Sequence, residues 1–350
     1  MSYEFPVDAA ALYGERRPQF INQGLPAADL DEAMSRVTDV WSDRPGGWTY
    51  EFSALAARYA EAGEHYQSAL AYGVARFPTL ADEAKREAMT RQIEQYVKAA
   101  PTFPVAFERR VLDIPYLGGT TPVPVHILSA TADPSARPVV ILSGGLDSWK
   151  VDLHVLAVAF ARTADVTVVA FDHPGTGETS ARLDEHAVDV IDGLIAVARA
   201  LGDGRVAHAG FSFGANLSGA SGLRGVVDAA IDLGGPMVGS FTPANFEHLM
   251  FGMRDIAGNA FGFDAIPTLD ELMAAVRPFE RSDLLSRDEN CPMLVVNGAD
   301  DVHVVQADTL VFEGRRDTEV HLIPGTGHCA ASKLPEVVDL MAEWLRARFA

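Results

Sequence analysis

Two textures of hydrophobic patterning divide the chain near residue 105. Before that point apolar residues recur every three or four positions over 30–41, 52–77 and 80–97, which predicts three helices. Tyr59, Tyr66 and Tyr72 interleave with Ala and Leu in the middle one. Pro101 and Pro104 mark a joint, and from Phe107 the pattern changes. The stretches 107–114 and 123–128 read as an antiparallel pair of strands turned by Gly118-Gly119. Short unbroken apolar runs follow at 138–143, 166–172, 206–211, 229–233, 293–297 and 319–323. Helical stretches alternate with them at 152–163, 184–201, after 212, at 304–312 and at 334–349. Unbroken apolar strands between helices predict a doubly wound, mostly parallel sheet of about eight strands, covered on both faces. An insertion at 237–288, rich in large apolar groups, interrupts the alternation.

One strand-to-helix junction carries the densest chemistry. The run Val206 to Phe211 ends in Gly210-Phe211-Ser212-Phe213-Gly214, followed by a small-residue segment. A G-x-S-x-G pattern between strand and helix is the nucleophile elbow of an α/β-hydrolase. There a strained turn lifts the serine hydroxyl above the strand ends, and the flanking glycines leave room for strand and helix to cross. The amide of Phe213 would then face a developing oxyanion, aided by the helix N-terminus.

A serine hydroxyl is a weak nucleophile at neutral pH, so it needs a base, and the base needs an orienting acid. In this fold the order is Ser, then Asp or Glu, then His, each at a strand end. Asn297-Gly-Ala-Asp-Asp-Val302 supplies the acid, with Asp301 preferred over Asp300 because it stands three after the loop glycine. Gly325-Thr-Gly-His-Cys329 supplies His328 as the base. The second oxyanion amide is expected from Gly144-Gly145-Leu146, with Gly145 first and Leu146 next; alternatively this is a glycine turn that starts a helix capped by Ser148. Gly175 and Gly177 lack the helix-opening spacing of a phosphate cradle. No paired-ligand histidine spacing is present, so no metal is expected.

Composition narrows the partners. The 350 residues are 48% hydrophobic, enough for a large core, and the net charge of −20 repels nucleic acid and anionic membranes. Two cysteines, Cys291 and Cys329, suit a reducing compartment. There is no basic-then-apolar leader and no apolar run near 18 residues, so the expected location is the cytoplasm, away from membranes.

The motifs Leu142-Ser-Gly-Gly-Leu-Asp-Ser-Trp-Lys150, Asp172-His-Pro-Gly-Thr-Gly-Glu178 and Gly210-Phe-Ser-Phe-Gly-Ala-Asn216 together resemble one branch of the α/β-hydrolases. It holds the fermentation-respiration switch protein, 2,6-dihydroxypseudooxynicotine hydrolase and the fungal pigment hydrolases that shorten polyketide chains. The likeness is clear over residues 107–350. With Ser212, Asp301 and His328 all in place, the chain is similar to the hydrolytic members. That resemblance implies residues 1–105 as a helical cap segment on a core of 106–350 with a cap insertion at 237–288. It also implies cleavage of a carbon–carbon bond next to a ketone, and no cofactor. A structural appendage is the alternative reading of the N-terminal helices.

The expected ligand is a small hydrophobic molecule, aromatic or acyl, with Phe211, Phe246, Met250 and Phe251 as contacts. Ordinary packing explains half of the insertion's large apolar groups. Glu247, His248, Arg254 and Asp255 are its polar candidates, and helical surface decoration accounts for them equally. A carboxylesterase or lactonase is the alternative chemistry, a non-catalytic binding protein the alternative class. A homodimer is left open.

Overall fold

The computed structural model describes residues 3–131 and 133–350. The chain divides into two compact units, one formed by residues up to Phe103 with Leu249–Pro267, the other by Pro104–His248 with Thr268–Ala350. The stretch expected as a single insertion is therefore shared between them.

The first unit is helical, with helices at Ala9–Gln23, Ala27–Met34, Trp48–Glu61, His65–Ala75 and Glu83–Ala99. Its core is built from Leu12, Phe20, Leu30, Trp48, Phe52, Leu70 and Phe77, with Phe251 packed against it from the internal stretch. The helix at Ala9–Gln23 was not evident in the periodicity, because Pro18 lies inside it and polar residues break its stripe. Asp8 caps it by accepting from Ala11 N at 2.7 Å. The helix expected over 52–77 is two helices, broken where Gly63 takes a positive φ of 78°.

The second unit is an eight-stranded sheet in the order β1-β2-β4-β3-β5-β6-β7-β8. The strands are β1 Ala106–Tyr116, β2 Gly119–Ser129, β3 Val139–Ser143, β4 Thr167–Phe171, β5 Val206–Phe211, β6 Ala229–Leu233, β7 Met293–Gly298 and β8 Thr318–Ile323. β1 and β2 pair antiparallel, as do β2 and β4; every other pairing is parallel. The β1–β2 hairpin turns through Leu117 and Gly118, both at positive φ, the conformation a two-residue hairpin loop needs. Every residue of β3, β4, β5, β6 and β7 is buried, which is why these strands read as unbroken apolar runs rather than alternating ones. This is the α/β-hydrolase architecture, and it gathers the C-terminal ends of β3, β5, β6 and β7 along one edge.

Candidate active site

At the end of β5 the backbone does what the glycine pattern anticipates. Ser212 sits at φ 57° and ψ −123°, ahead of the helix Phe213–Leu223. A non-glycine residue there stores about 1–3 kcal/mol of strain, which the surroundings must hold. Its N–H is held by the carbonyl of Leu233 on β6 at 2.8 Å. A Cβ on Gly210 would lie 2.1 Å from the Gly214 carbonyl oxygen, and one on Gly214 would lie 2.3 Å from the Gly144 oxygen. Both positions therefore exclude any side chain, and strand and helix cross backbone against backbone.

Ser212 Oγ lies 2.8 Å from His328 Nε2. His328 Nδ1 lies 2.7 Å from Asp301 Oδ2. The carboxylate fixes the proton on Nδ1 and leaves Nε2 to accept from the serine hydroxyl. Asp301 is saturated with donors: its Oδ1 accepts from the amides of His303 at 2.7 Å and Val304 at 3.1 Å, and its Oδ2 also accepts from Asn297 Nδ2 at 2.9 Å. Asp300 is exposed and makes no such approach; its amide donates to the carbonyl of Thr326.

Burial by itself would push the Asp301 carboxyl up. The charge on His328 and the hydrogen bonds from His328, Asn297 and His303 outweigh it and hold that carboxyl well below the usual range. For His328 burial opposes the charged form, and the adjoining carboxylate overcomes it, so the imidazole binds its proton more tightly than a free histidine. The ring of His303 meets that of His328 edge-on, with centroids 5.4 Å apart. Immediately after His328, Cys329 and Ala330 both take left-handed backbone, at φ 53° and 51°. This turn swings the imidazole toward the elbow. Cys329 is fully buried, its thiol donating to the Leu233 carbonyl at 3.2 Å.

The loop after β3 lies directly against Ser212. A Cβ on Gly145 would fall 2.8 Å from Ser212 Cβ and 3.0 Å from its Oγ, so position 145 must be glycine if the serine is to be used. Leu146 follows in the same loop, its carbonyl accepting from the Trp149 indole at 3.2 Å, and Phe213 opens the elbow helix. A buried charge network anchors this loop. The Lys150 ammonium pairs with Asp172 and, at 2.8 Å, with Glu178, while Lys150 N donates to Asp172 Oδ1 at 2.8 Å. Arg109 on β1 reaches Glu178 at 2.6 Å. The glycine run at 175–177 serves the same network, since a Cβ on Gly177 would lie 2.1 Å from Asp172 Oδ2. Their spacing does not suit a phosphate cradle, and what Gly177 accommodates is a carboxylate.

The expected pocket contacts scatter. Phe211 and Phe246 are buried in the sheet unit. Met250 is exposed, and Phe251 packs on the core of the helical unit. Glu247 and His248 are exposed, and Arg254 donates to the Pro267 carbonyl at 3.4 Å. Two further side chains have roles that the sequence does not reveal. Asp308 accepts from four successive amides, Met237 at 2.9 Å, Val238 at 3.0 Å, Gly239 at 2.7 Å and Ser240 at 3.0 Å, pinning the chain where it leaves β6. Asn216, four residues after Ser212, donates to the carbonyls of Pro236 at 2.7 Å and Phe279 at 2.8 Å, while its oxygen accepts from Arg281. Among the described residues no group of three or more His, Cys, Asp or Glu is placed to hold a metal ion. Among the same residues no helix is long and apolar enough to cross a membrane.

Known proteins share this architecture and parts of the sequence. The protein named AbyA5 superposes with a TM-score of 0.80 over 98% of this chain and 100% of its own, at 20% identity. The 2,6-dihydroxy-pseudo-oxynicotine hydrolase superposes with a TM-score of 0.74 over 95% of each chain, at 21% identity. Esterase FrsA of Photobacterium profundum is 28% identical over 57% of this chain and 54% of its own length. Esterase FrsA of Vibrio vulnificus is 24% identical over 81% of this chain and 75% of its own. In the first of these curated relatives the chain spans about half the relative's length. The family profile described as "Esterase FrsA-like" matches residues 29–345, and the chain belongs to that α/β-hydrolase family.

Proposed function

We propose that this protein is a serine hydrolase that cleaves an acyl group from a small hydrophobic substrate, with Ser212 as nucleophile, His328 as general base and acid, and Asp301 as the orienting carboxylate. The observation that carries the reading is the continuous relay from Ser212 Oγ to His328 Nε2 at 2.8 Å and from His328 Nδ1 to Asp301 Oδ2 at 2.7 Å. As Ser212 Oγ attacks the carbonyl carbon, its proton passes to His328 Nε2, and the Asp301 carboxylate stabilises the imidazolium. The carbonyl oxygen becomes an oxyanion beside the loop at Gly145, with the Phe213 amide at the helix start as its other donor and Leu146 next along the loop. His328 then returns the proton to the leaving atom, and water enters by the same route to release the acyl group from Ser212. No cofactor is needed for these steps.

Ester cleavage asks only that an alkoxide be protonated as it departs, and His328 is placed to do that. The esterase family and this relay together support an ester as the substrate. A second reading, cleavage of a carbon–carbon bond next to a ketone, rests on the motif resemblance carried by Gly144-Gly145-Leu146-Asp147-Ser148; its leaving carbanion must be held as an enolate or protonated. Aryl esters and β-diketones assayed side by side, with products identified by mass spectrometry, separate the two. Turnover of esters alone removes the carbon–carbon reading. Ser212→Ala is expected to lower turnover of every accepted substrate by several orders of magnitude with the fold intact. Activity near the wild-type level in that variant would remove the nucleophile.

A further inference from the structure

Asn297 is fully buried near the end of β7 and makes contact with both sides of the relay. Its Nδ2 donates at 2.9 Å to Asp301 Oδ2, the same oxygen that accepts from His328 Nδ1. Its Oδ1 accepts from Gly298 N at 2.8 Å and from Cys329 N at 3.0 Å. The orientation of the amide follows from chemistry. An ionised carboxylate only accepts and a backbone N–H only donates, so the nitrogen must face Asp301 and the oxygen must face residues 298 and 329.

The Cys329 amide belongs to the left-handed turn that aims the imidazole. Among the bonds that hold that turn are Cys329 N to Asn297, Cys329 Sγ to Leu233 O at 3.2 Å, and Ala330 N to Gly327 O at 2.9 Å. The two loops also meet at backbone level, for a Cβ on Gly298 would lie 2.0 Å from the Gly327 carbonyl oxygen. Aspartate at 297 could hold the turn but would set a second carboxylate against Asp301. Leucine could do neither.

We infer that Asn297 is a positioning residue that locks acid and base into one unit, steering the Asp301 oxygen with its amide nitrogen while fixing the backbone behind His328 with its amide oxygen. This rests on the triad assigned above. Its role shows as the imidazole gains and loses a proton, when Asp301 must keep the same oxygen on Nδ1 although the charge of its partner changes.

Asn297→Asp separates the two tasks, since it keeps an acceptor for the amides of Gly298 and Cys329 and replaces the donor to Asp301 with a repelling charge. With an aryl ester as substrate, kcat is expected to fall by about 30-fold or more with KM changed by less than about three-fold, because geometry rather than binding is lost. The acid limb of the kcat/KM profile is expected to move up by about one pH unit, because a second negative charge favours the imidazolium. Asn297→Ser, checked by circular dichroism, repeats the kcat measurement if the aspartate variant does not fold. A kcat within about three-fold of wild type with an unmoved acid limb, or a loss confined to KM, overturns the inference. If Ser212→Ala is inactive while Asn297→Asp is normal, only this inference fails; if Ser212→Ala is active, the triad fails first.

Discussion

Strands β6 and β7 run side by side, and a buried aspartate stands at or just beyond the end of each, yet the two carboxyls are in opposite states. Asp301, beyond β7, has four donors against it, one of them the imidazole of His328, and stays ionised. Asp232, within β6, accepts one bond, from Gly235 N at 2.8 Å, and its Oδ2 has no hydrogen-bond partner among the described residues. Burial pushes the Asp232 carboxyl up to about 8, with the charge of Asp308 adding to the effect. Both side chains are enclosed by protein. What separates them is the charge of His328 beside Asp301 together with the N–H groups turned toward its oxygens, which decide whether a carboxyl is a charge the protein can use or a proton it must carry.

The largest effect that sharpens this contrast comes from removing the charge at the used site. Asp301→Asn is expected to lower kcat by about 10,000-fold, because the amide favours the wrong tautomer of His328. Rate measurement on an ester substrate checks it, and a loss under about ten-fold would show that the carboxylate does not orient the base. Next comes a third buried aspartate, Asp172, which stays ionised because Lys150 faces it. Lys150→Met strands that charge and is expected to cost about 3–5 kcal/mol of stability, read from urea midpoints. An unchanged midpoint would mean the network is replaceable.

Asp232 gives a smaller effect with a distinctive pH dependence. The folded protein keeps its proton to about pH 8, whereas the unfolded chain releases it near 3.8. Between those values the unfolded state binds fewer protons, so this group makes stability fall as pH rises from about 4 to about 8, and adds nothing further above that. Asp232→Asn removes the dependence. Its advantage over wild type is expected to grow by about 4 kcal/mol between about pH 5 and about pH 8. Equal pH profiles for the two proteins would place the proton elsewhere.

The same contrast explains what could be read from the sequence. The sheet was legible because strands buried on both faces leave unbroken apolar runs, and the relay was legible because each member stands at a strand end with glycine beside it: Ser212 between Gly210 and Gly214, Asp301 after Gly298, His328 after Gly327. Asn297, Lys150 and Asp308 were not legible in their roles. Lys150 and Asp308 have partners 22 and about 70 residues away, and Asn297 joins its near neighbour Asp301 to Cys329, 32 residues on; a single asparagine, lysine or aspartate has no pattern until the fold supplies its neighbour. The helix Ala9–Gln23 was missed for a local reason, a proline within it and a weak apolar stripe. Phe251, Met250 and their neighbours looked like one class of apolar residue in sequence, but Phe251 packs in a core and Met250 is exposed.

The way the two units share the chain bears on how the protein is made. Synthesis releases residues 12–88 before any strand of the sheet, and these supply nearly the whole core of the helical unit, so that unit can begin to collapse early. The segment bearing Phe251 leaves the ribosome only after strands β1 to β6 have emerged. The helical unit must therefore stay receptive to a late-arriving piece of itself, and a truncation before residue 249 would leave it permanently short of that piece.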